Sequence, residues 1–255
     1  GTDFGVARWS GSSLSQLMAA ELSQVPVWAI AEDHEGGIHF GTSGRGLVSY
    51  SPSAFTQISA ETFGLRTVWS IAQDELGQTW FGMEGGLMKL GQAGLEDLSK
   101  IAGLEKSSVR FMHPDAAGQL VLGTRDGVPR LSPAGVLTPL PTLPASPVRE
   151  VRSIAHTAAG RLVIATNETG AFIEKNGVLQ PFLQRTSLGD ELYDVFVDSK
   201  DRIWFAGAEG LTILAGDRLI VHDRSTGLPD EFILGVAEDS YGTVWVATHG
   251  GGLAR

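Results

Sequence analysis

Apolar and polar positions along this chain follow one short programme that is written again and again. "VWAIAEDHEGGIHFGTSGRGLVSY", from Val27 to Tyr50, is two apolar runs joined by a turn, then a Gly-rich corner and a third apolar run. Forty-one residues on, Val68 to Leu90 reads "VWSIAQDELGQTWFGMEGGLMKL". The turn position of Asp33 recurs at Asp74, Asp115, Thr157, Asp198 and Asp239, at spacings of 41, 41, 42, 41 and 41. Three residues after each stands Gly36, Gly77, Gly118, Gly160, Asp201 or Gly242, and eight after each a small residue: Gly41, Gly82, Gly123, Ala165, Ala206 or Ala247. A fixed period that fills the chain is the signature of a repeat architecture.

The first run of each unit (Val27–Ala31, Val68–Ala72, Val151–Ala155, Gly235–Ala237) is short, apolar and rich in β-branched residues, so it predicts a buried strand. Asp-x-x-Gly then suits a type I turn closed by a left-handed residue, where Gly carries no Cβ penalty and Asp201 is tolerated. The second run alternates sides and ends in small residues. After the corner come a third strand, such as "GLVSY" or "GLTIL", and a variable fourth, such as "AFTQIS" (Ala54–Ser59) or "RLIVHD" (Arg218–Asp223). Four antiparallel strands per unit predict an all-β protein, a β-propeller of four-stranded blades. Helical spacing shows only at Leu14–Leu22, read as one irregular turn.

The units run over residues 27–67, 68–108, 109–150, 151–191, 192–231 and 232–255, with a partial unit over 1–26. "GTDFGVARW" (Gly1–Trp9) aligns with Gly41–Tyr50, and "ATHGGGLAR" ends the chain on the same element. That makes seven copies of the corner and third strand against six of the first hairpin. The expectation is part of a seven-bladed propeller whose natural N-terminus lies upstream, with an open edge that something must cover.

The unbroken register also decides for a single domain over the 255 residues. A net charge of −10 with no Lys or Arg run argues against nucleic acid and anionic membrane surfaces as partners. No apolar stretch approaches the roughly 20 residues of a membrane span. The absence of Cys excludes disulfide frameworks and thiolate metal sites.

"VWSIAQD…G…WFG…GGL" and "STGLPDEFILGVAEDSYGTVWVATHGGGLAR" (Ser225–Arg255) closely resemble the two-component regulator propeller repeat. The likeness is strong in the units at Val27, Val68 and Phe232, and weaker at Val109, Val151 and Leu192, where Arg110, Arg152 and Tyr193 replace Trp. It implies the ligand-binding sensor region of a bacterial inner-membrane receptor, lying in the periplasm or otherwise outside the cytoplasm. Membrane attachment, a kinase, cyclase or DNA-binding output, and any homodimer would come through segments absent here. The streptogramin lyase, a more distant likeness, is a reminder that this fold can host an active site.

In a propeller the innermost strand of each blade lines a central channel. The residue at the start of that strand comes round as Trp28, Trp69, Arg110, Arg152, Tyr193 and Leu234. The first five form the candidate site: guanidinium forks take carboxylate or sulfate and aromatic faces stack on sugar rings, so the expected ligand is a small molecule or carbohydrate. The competing reading makes Trp28 and Trp69 inter-blade core. Trp80, Trp204 and Trp245, on second strands, are expected in the core. Corner residues Arg45, Arg125 and His249 are candidate rim contacts.

The six histidines, His34, His39, His113, His156, His222 and His249, have no paired metal spacing, although His113 and His156 occupy similar places in neighbouring units. No metal, cofactor or catalytic residue is expected. A lyase or glycan-degrading enzyme would need clustered His and Glu, for which Glu238 and His249 are the material. A protein-binding scaffold is the remaining rival.

Overall fold

The computed structural model describes the chain apart from residues 11–12, 18–19, 34–35, 52–53, 59–60, 63–65, 75, 92–93, 116, 145, 183–188 and 190. His34 and Ser59 therefore lie outside the described residues. The fold divides into two compact units, Gly1–Leu122 with Leu131–Leu137, and Gly123–Arg130 with Thr138–Arg255.

The first unit opens with a hairpin of β1 (Ala7–Ser10) and β2 (Ser13–Gln16). Leu14 thus belongs to a strand, and of the described residues in Leu14–Leu22, Ala20 to Leu22 lie in a turn. A four-stranded sheet follows: β3 (Val27–Glu32), β4 (Ile38–Thr42), β5 (Leu47–Ser51) and β6 (Ala54–Ile58), hydrogen-bonded in chain order. The next holds β7 (Val68–Gln73), β8 (Thr79–Met83), β9 (Gly86–Gly91) and β10 (Gly94–Asp97), and leads into a single helical turn, α1 (Ser99–Ala102), that the pattern did not announce. The third holds β11 (Val109–Pro114), β12 (Leu120–Thr124), β13 (Pro129–Leu131) and β14 (Leu137–Pro139), and the division between the units runs through it.

The second unit repeats the plan. One sheet is β15 (Val151–His156), β16 (Leu162–Thr166), β17 (Ala171–Lys175) and β18 (Val178–Pro181); another is β19 (Leu192–Val197), β20 (Ile203–Gly207), β21 (Gly210–Ala215) and β22 (Arg218–His222). The last has three strands, β23 (Ile233–Glu238), β24 (Val244–Thr248) and β25 (Leu253–Ala254). Within the first unit β3 lies against β7 and β7 against β11; within the second β15 lies against β19 and β19 against β23. Four-stranded antiparallel sheets that stack within each unit through their first strands are propeller blades. The chain is an all-β propeller.

Each turn forms as its residues dictate. Gly36, Gly77, Gly118, Gly160, Asp201 and Gly242 all take positive φ, from 57° at Asp201 to 80° at Gly36. The N–H of each bonds back to the carbonyl at the turn's first position, as from Gly77 to Asp74 at 3.0 Å and from Asp201 to Asp198 at 2.9 Å. The aspartates add a clamp. Oδ1 of Asp74 accepts from Leu76 N and Gln78 N, while Oδ2 accepts from Trp80 Nε1 at 2.8 Å. The same indole-to-turn bond, also 2.8 Å, joins Trp204 to Asp198 and Trp245 to Asp239. His39 takes the indole's place at Asp33, 2.9 Å away. Trp80 and Trp204 are core residues as expected, but Trp245 is half-exposed.

The small residue on each second strand marks where the next blade presses in. A Cβ at Gly82 would stand 2.6 Å from the carbonyl oxygen of Val109, on the following inner strand. One at Gly41 would meet Val68 at 3.0 Å. Between blades lie clusters such as Trp80, Leu87, Val109, Met112 and Leu122 in the first unit, and Val163, Ile173, Leu192 and Phe205 in the second.

Candidate functional site

A break in the ladder aims the candidate side chains. In the β3–β4 pair the register shifts between Val27 and Ala29, leaving Trp28 opposite no partner. The same shift falls at Trp69, Arg152, Tyr193 and Leu234. A β-bulge leaves one residue without a cross-strand partner, a device common beside binding sites. Trp28 is 48% exposed and Leu234 47%, and Trp69, Arg110, Arg152 and Tyr193 are half-buried. Trp28 thus stands outside the inter-blade core, on the same side of β3 as the exposed Ile30, whereas Trp69 is half-buried.

In the first unit the structure brings three of these residues into one row. The Trp28 and Trp69 rings lie 5.4 Å apart, tilted by 44°. Arg110 places its guanidinium carbon 5.2 Å from the Trp69 ring centroid, a cation–π contact. Trp69 also donates its indole N–H to Glu84 Oε2 at 3.2 Å. Trp69 is therefore held on several sides, while Trp28 at the end of the row keeps an open face, with Ile30 also 47% exposed two residues along the strand.

In the second unit Arg152 and Tyr193 come together. Tyr193 donates its hydroxyl to Glu191 Oε2 at 3.3 Å. Burial first, then the charge and hydrogen bond of Glu191, push the phenol above its ordinary pKa, and the nearby Arg152 guanidinium pulls it back.

In five sheets the corner after the second strand is latched to the residue before the inner strand of the same blade. The bonds run from Ser43 N to Pro26 O at 3.0 Å, Glu84 N to Thr67 O at 3.1 Å, Asn167 N to Glu150 O at 3.0 Å, Ala208 N to Glu191 O at 3.1 Å, and His249 N to Phe232 O at 2.9 Å. Corner, approaching loop and bulge therefore share one end of each blade. The rim candidates sit there, engaged with their own fold. Arg45 Nη1 donates to Ala20 O at 3.1 Å, Arg125 Nε pairs with Glu150 Oε1 at 3.1 Å, and the His249 ring packs 6.2 Å from that of Phe232. Sequence reasoning missed Glu84 and Glu191. Glu84 occupies the first corner position, the register that singled out Arg125 and His249, and that register was signal enough to find it.

The acid–base pair a lyase would need is not assembled from Glu238 and His249. The β23–β24 register pairs Ile233 with Thr248 at one end and Glu238 with Val244 at the other, so the two residues lie at opposite ends of the hairpin. Glu238 instead accepts from Ser199 N at 2.7 Å and Ser199 Oγ at 2.8 Å. Among the described residues no group of three or more His, Asp or Glu side chains could hold a metal ion.

The sixth repeat shows how tightly corner and approaching loop fit. A Cβ at Gly251 would stand 2.7 Å from Pro229 Cβ, and one at Gly250 2.9 Å from Asp230 Oδ2. The sequence model for the two component regulator propeller matches residues 227–250, which span this loop, the inner hairpin and the corner. The chain carries a two-component regulator propeller repeat. No curated protein sequence matches the chain. Solved structures similar to this repeat chain include the extracellular domain of BT3049 from B. thetaiotaomicron, assigned to a hybrid two component system. It is 23% identical with a TM-score of 0.75, over 87% of this chain and 31% of that one. The extracellular domain of BT4673 from the same organism, likewise assigned, is 18% identical with a TM-score of 0.65, over 97% of this chain and 42% of that one. Virginiamycin B lyase from Staphylococcus aureus is 11% identical with a TM-score of 0.71, over 88% of this chain and 78% of that one. At these identities the likeness establishes the fold. The repeat chain spans 31% and 42% of the lengths of the two extracellular domains.

Proposed function

We propose that the chain is the extracytoplasmic, non-catalytic sensor propeller of a bacterial signal-transduction receptor, of two-component or diguanylate cyclase type, and binds a small molecule or oligosaccharide on its bulge-lined face. The observation that carries this is the recurrence of one inner-strand position, where an exposed Trp28 stands beside Trp69 and Arg110 in one unit and a half-buried Arg152 beside Tyr193 in the other. A flat aromatic face suits a sugar or planar ring, and a guanidinium suits a carboxylate or sulfate. Trp, Tyr and Arg are the residues that most often carry binding energy at recognition surfaces.

Three further points belong to this reading. The seven corner-and-strand copies against six hairpins support a seven-bladed propeller, of which this chain is a part. Attachment to the inner membrane and pairing of two receptors would come through other segments, with no role for nucleic acid. Ligand binding must favour one receptor arrangement over another, since equal affinity for both transmits nothing.

A thermal-shift screen against glycans and organic acids tests the proposal. A hit should lose affinity about 10-fold or more with Arg110→Ala or Arg152→Ala, the size of a lost charge-assisted hydrogen bond of roughly 1.5–3 kcal/mol. Trp28→Ala should weaken it about 2- to 12-fold, the range for lost aromatic contact. Hits untouched by all three substitutions would exclude this face. Turnover of a hit would move the assignment to the enzyme class that the likeness to virginiamycin B lyase keeps in view.

A further inference from the structure

The position two after the first residue of each inner strand is held by Ala29, Ser70, Phe111, Ser153, Asp194 and Gly235. At Asp194 it becomes ionisable, and its surroundings are built from three strands of the second unit. Asp194 Oδ1 lies 2.6 Å from Ser153 Oγ on β15, and Oδ2 accepts from Val236 N on β23 at 2.9 Å. Ser153 Oγ also lies 3.3 Å from the Val195 carbonyl oxygen on β19.

The proton count decides how these contacts are made. One serine hydroxyl donates once, yet it faces two oxygens, Asp194 Oδ1 and Val195 O. With Asp194 ionised, one of the two goes without. With a proton on Oδ1, Asp194 donates to Ser153 Oγ, Ser153 donates to Val195 O, and Oδ2 still accepts from Val236 N–H. All three contacts are then hydrogen bonds at once.

We propose that the buried Asp194 carboxyl holds a proton in this hydrogen-bond set, and that losing it loosens the tie between the three inner strands that present Arg152, Tyr193 and Leu234. The link to a binding face rests on the function proposed above; the protonation itself does not. Burial, the largest influence, raises the carboxyl's pKa above the ordinary aspartate value, against hydrogen bonds from Ser153, Val236 and Val195 that lower it. The surrounding strands carry Arg152 and His156 on β15, Tyr193 on β19 and Glu238 on β23, while β20 sets Ala206 opposite. The shift has burial and these hydrogen bonds as its causes. When the proton leaves to solvent, Val236 N–H and Ser153 Oγ still bond the carboxylate, but Ser153 gives up the Val195 carbonyl and the new charge lies buried between the three strands.

The sign follows. A carboxyl whose folded pKa is raised contributes stability that is fully present below the unfolded value and lost as pH rises through the folded one. Asp194→Asn keeps a donor for Ser153 and an acceptor for Val236 at every pH. Melting temperatures of the wild type and Asp194→Asn should agree near about pH 4 and separate toward about pH 8, the variant ahead by roughly 2–4 °C or more. Asp194→Ala should be lower than Asp194→Asn throughout. Independently of any variant's folding, a carbon NMR titration of the wild-type Asp194 carboxyl should give a midpoint above about 3.9. A midpoint at or below that value, or parallel melting curves for wild type and Asp194→Asn, would overturn the proposal. Both measurements are made without ligand, so failure to find one leaves them intact. A ligand bound with one and the same affinity by wild type and Asp194→Asn across the range would overturn the coupling to the site.

Discussion

Asp198 shows how much of a blade hangs on one side chain. Its Oδ1 accepts from Lys200 N at 3.0 Å and Arg202 N at 2.9 Å, while Oδ2 accepts from Trp204 Nε1 at 2.8 Å and from Arg202 Nε. Burial pushes the carboxyl's pKa up, but the Trp204 indole and the Arg202 and Lys200 donors together hold it below the ordinary value. Asp239, with Trp245 and Thr243 as its main donors, is lowered in the same way. Such groups contribute stability that is present above the unfolded pKa of about 3.9 and lost as pH falls through the folded value. Asp198→Ala also leaves the buried indole N–H without its acceptor, so it should cost about 2–4 kcal/mol in urea unfolding, with a weaker acid limb in the pH profile. Asp115→Ala is the comparison. There Val121 stands where the indole would be, and the cost should be about 1 kcal/mol smaller.

At the scale of the strand, the small residue eight places after each turn residue is a packing constraint that can be measured. Gly82→Ala sets its Cβ 2.3 Å from Ser70 Oγ and 2.6 Å from the Val109 carbonyl oxygen. The serine can rotate, but the backbone carbonyl cannot, so the two inner strands must part. The expected loss is about 1–3 kcal/mol by denaturant midpoint, whereas Gly91→Ala on β9, with nothing within 4 Å, should change stability by less than about 0.5 kcal/mol. Equal effects would mean the blades do not meet at Gly82. This constraint was visible in the sequence only as a recurrence; its cause needed the neighbouring strand. The hairpins themselves were fully legible, because a positive φ at Gly77 or Asp201 is a local demand written by local residues. The bulge was not. Trp28 sits in an unbroken apolar run, "VWAIA", and nothing in that run tells a laddered residue from an extruded one, so burial of Trp28 and Trp69 was as good a reading as exposure. Leu14 misled for a related reason: over a few residues a strand and a helical turn write similar spacing. Arg45 and Arg125 show the limit on the site side. A corner arginine reads as a ligand contact until the Ala20 carbonyl or the Glu150 carboxylate that holds it is placed.

Over the whole chain, blades gain most of their stability from their neighbours, as in other repeat proteins whose units cannot bury both faces alone. The consequence differs from sheet to sheet. Strands β8, β12, β16 and β20 are buried at all five positions, so each is covered on both sides. In β24 only Val246 and Thr248 are buried. Leu253 on β25 is 54% exposed, although its counterparts Leu47 and Leu87 are 0% exposed and Leu211 is 3%. Leaving aside the β1–β2 hairpin, whose second strand is exposed throughout, the sheet β23–β24–β25 is therefore the least protected, and should open locally before the four-stranded sheets do. Native-state hydrogen exchange reads this directly. The amide of Val246 should exchange at least about 10-fold faster than those of Phe81 and Phe205, which occupy the same place in their turns and strands, in conditions where exchange follows local opening. Leu253→Ala should then cost well under the roughly 2–5 kcal/mol expected for Leu87→Ala, because the first removes a half-solvated side chain and the second empties a buried site. If Val246 were protected as well as Phe81, and Leu253→Ala were as costly as Leu87→Ala, the last sheet would have to be covered by another surface in solution, and self-association of the chain would be the first thing to measure.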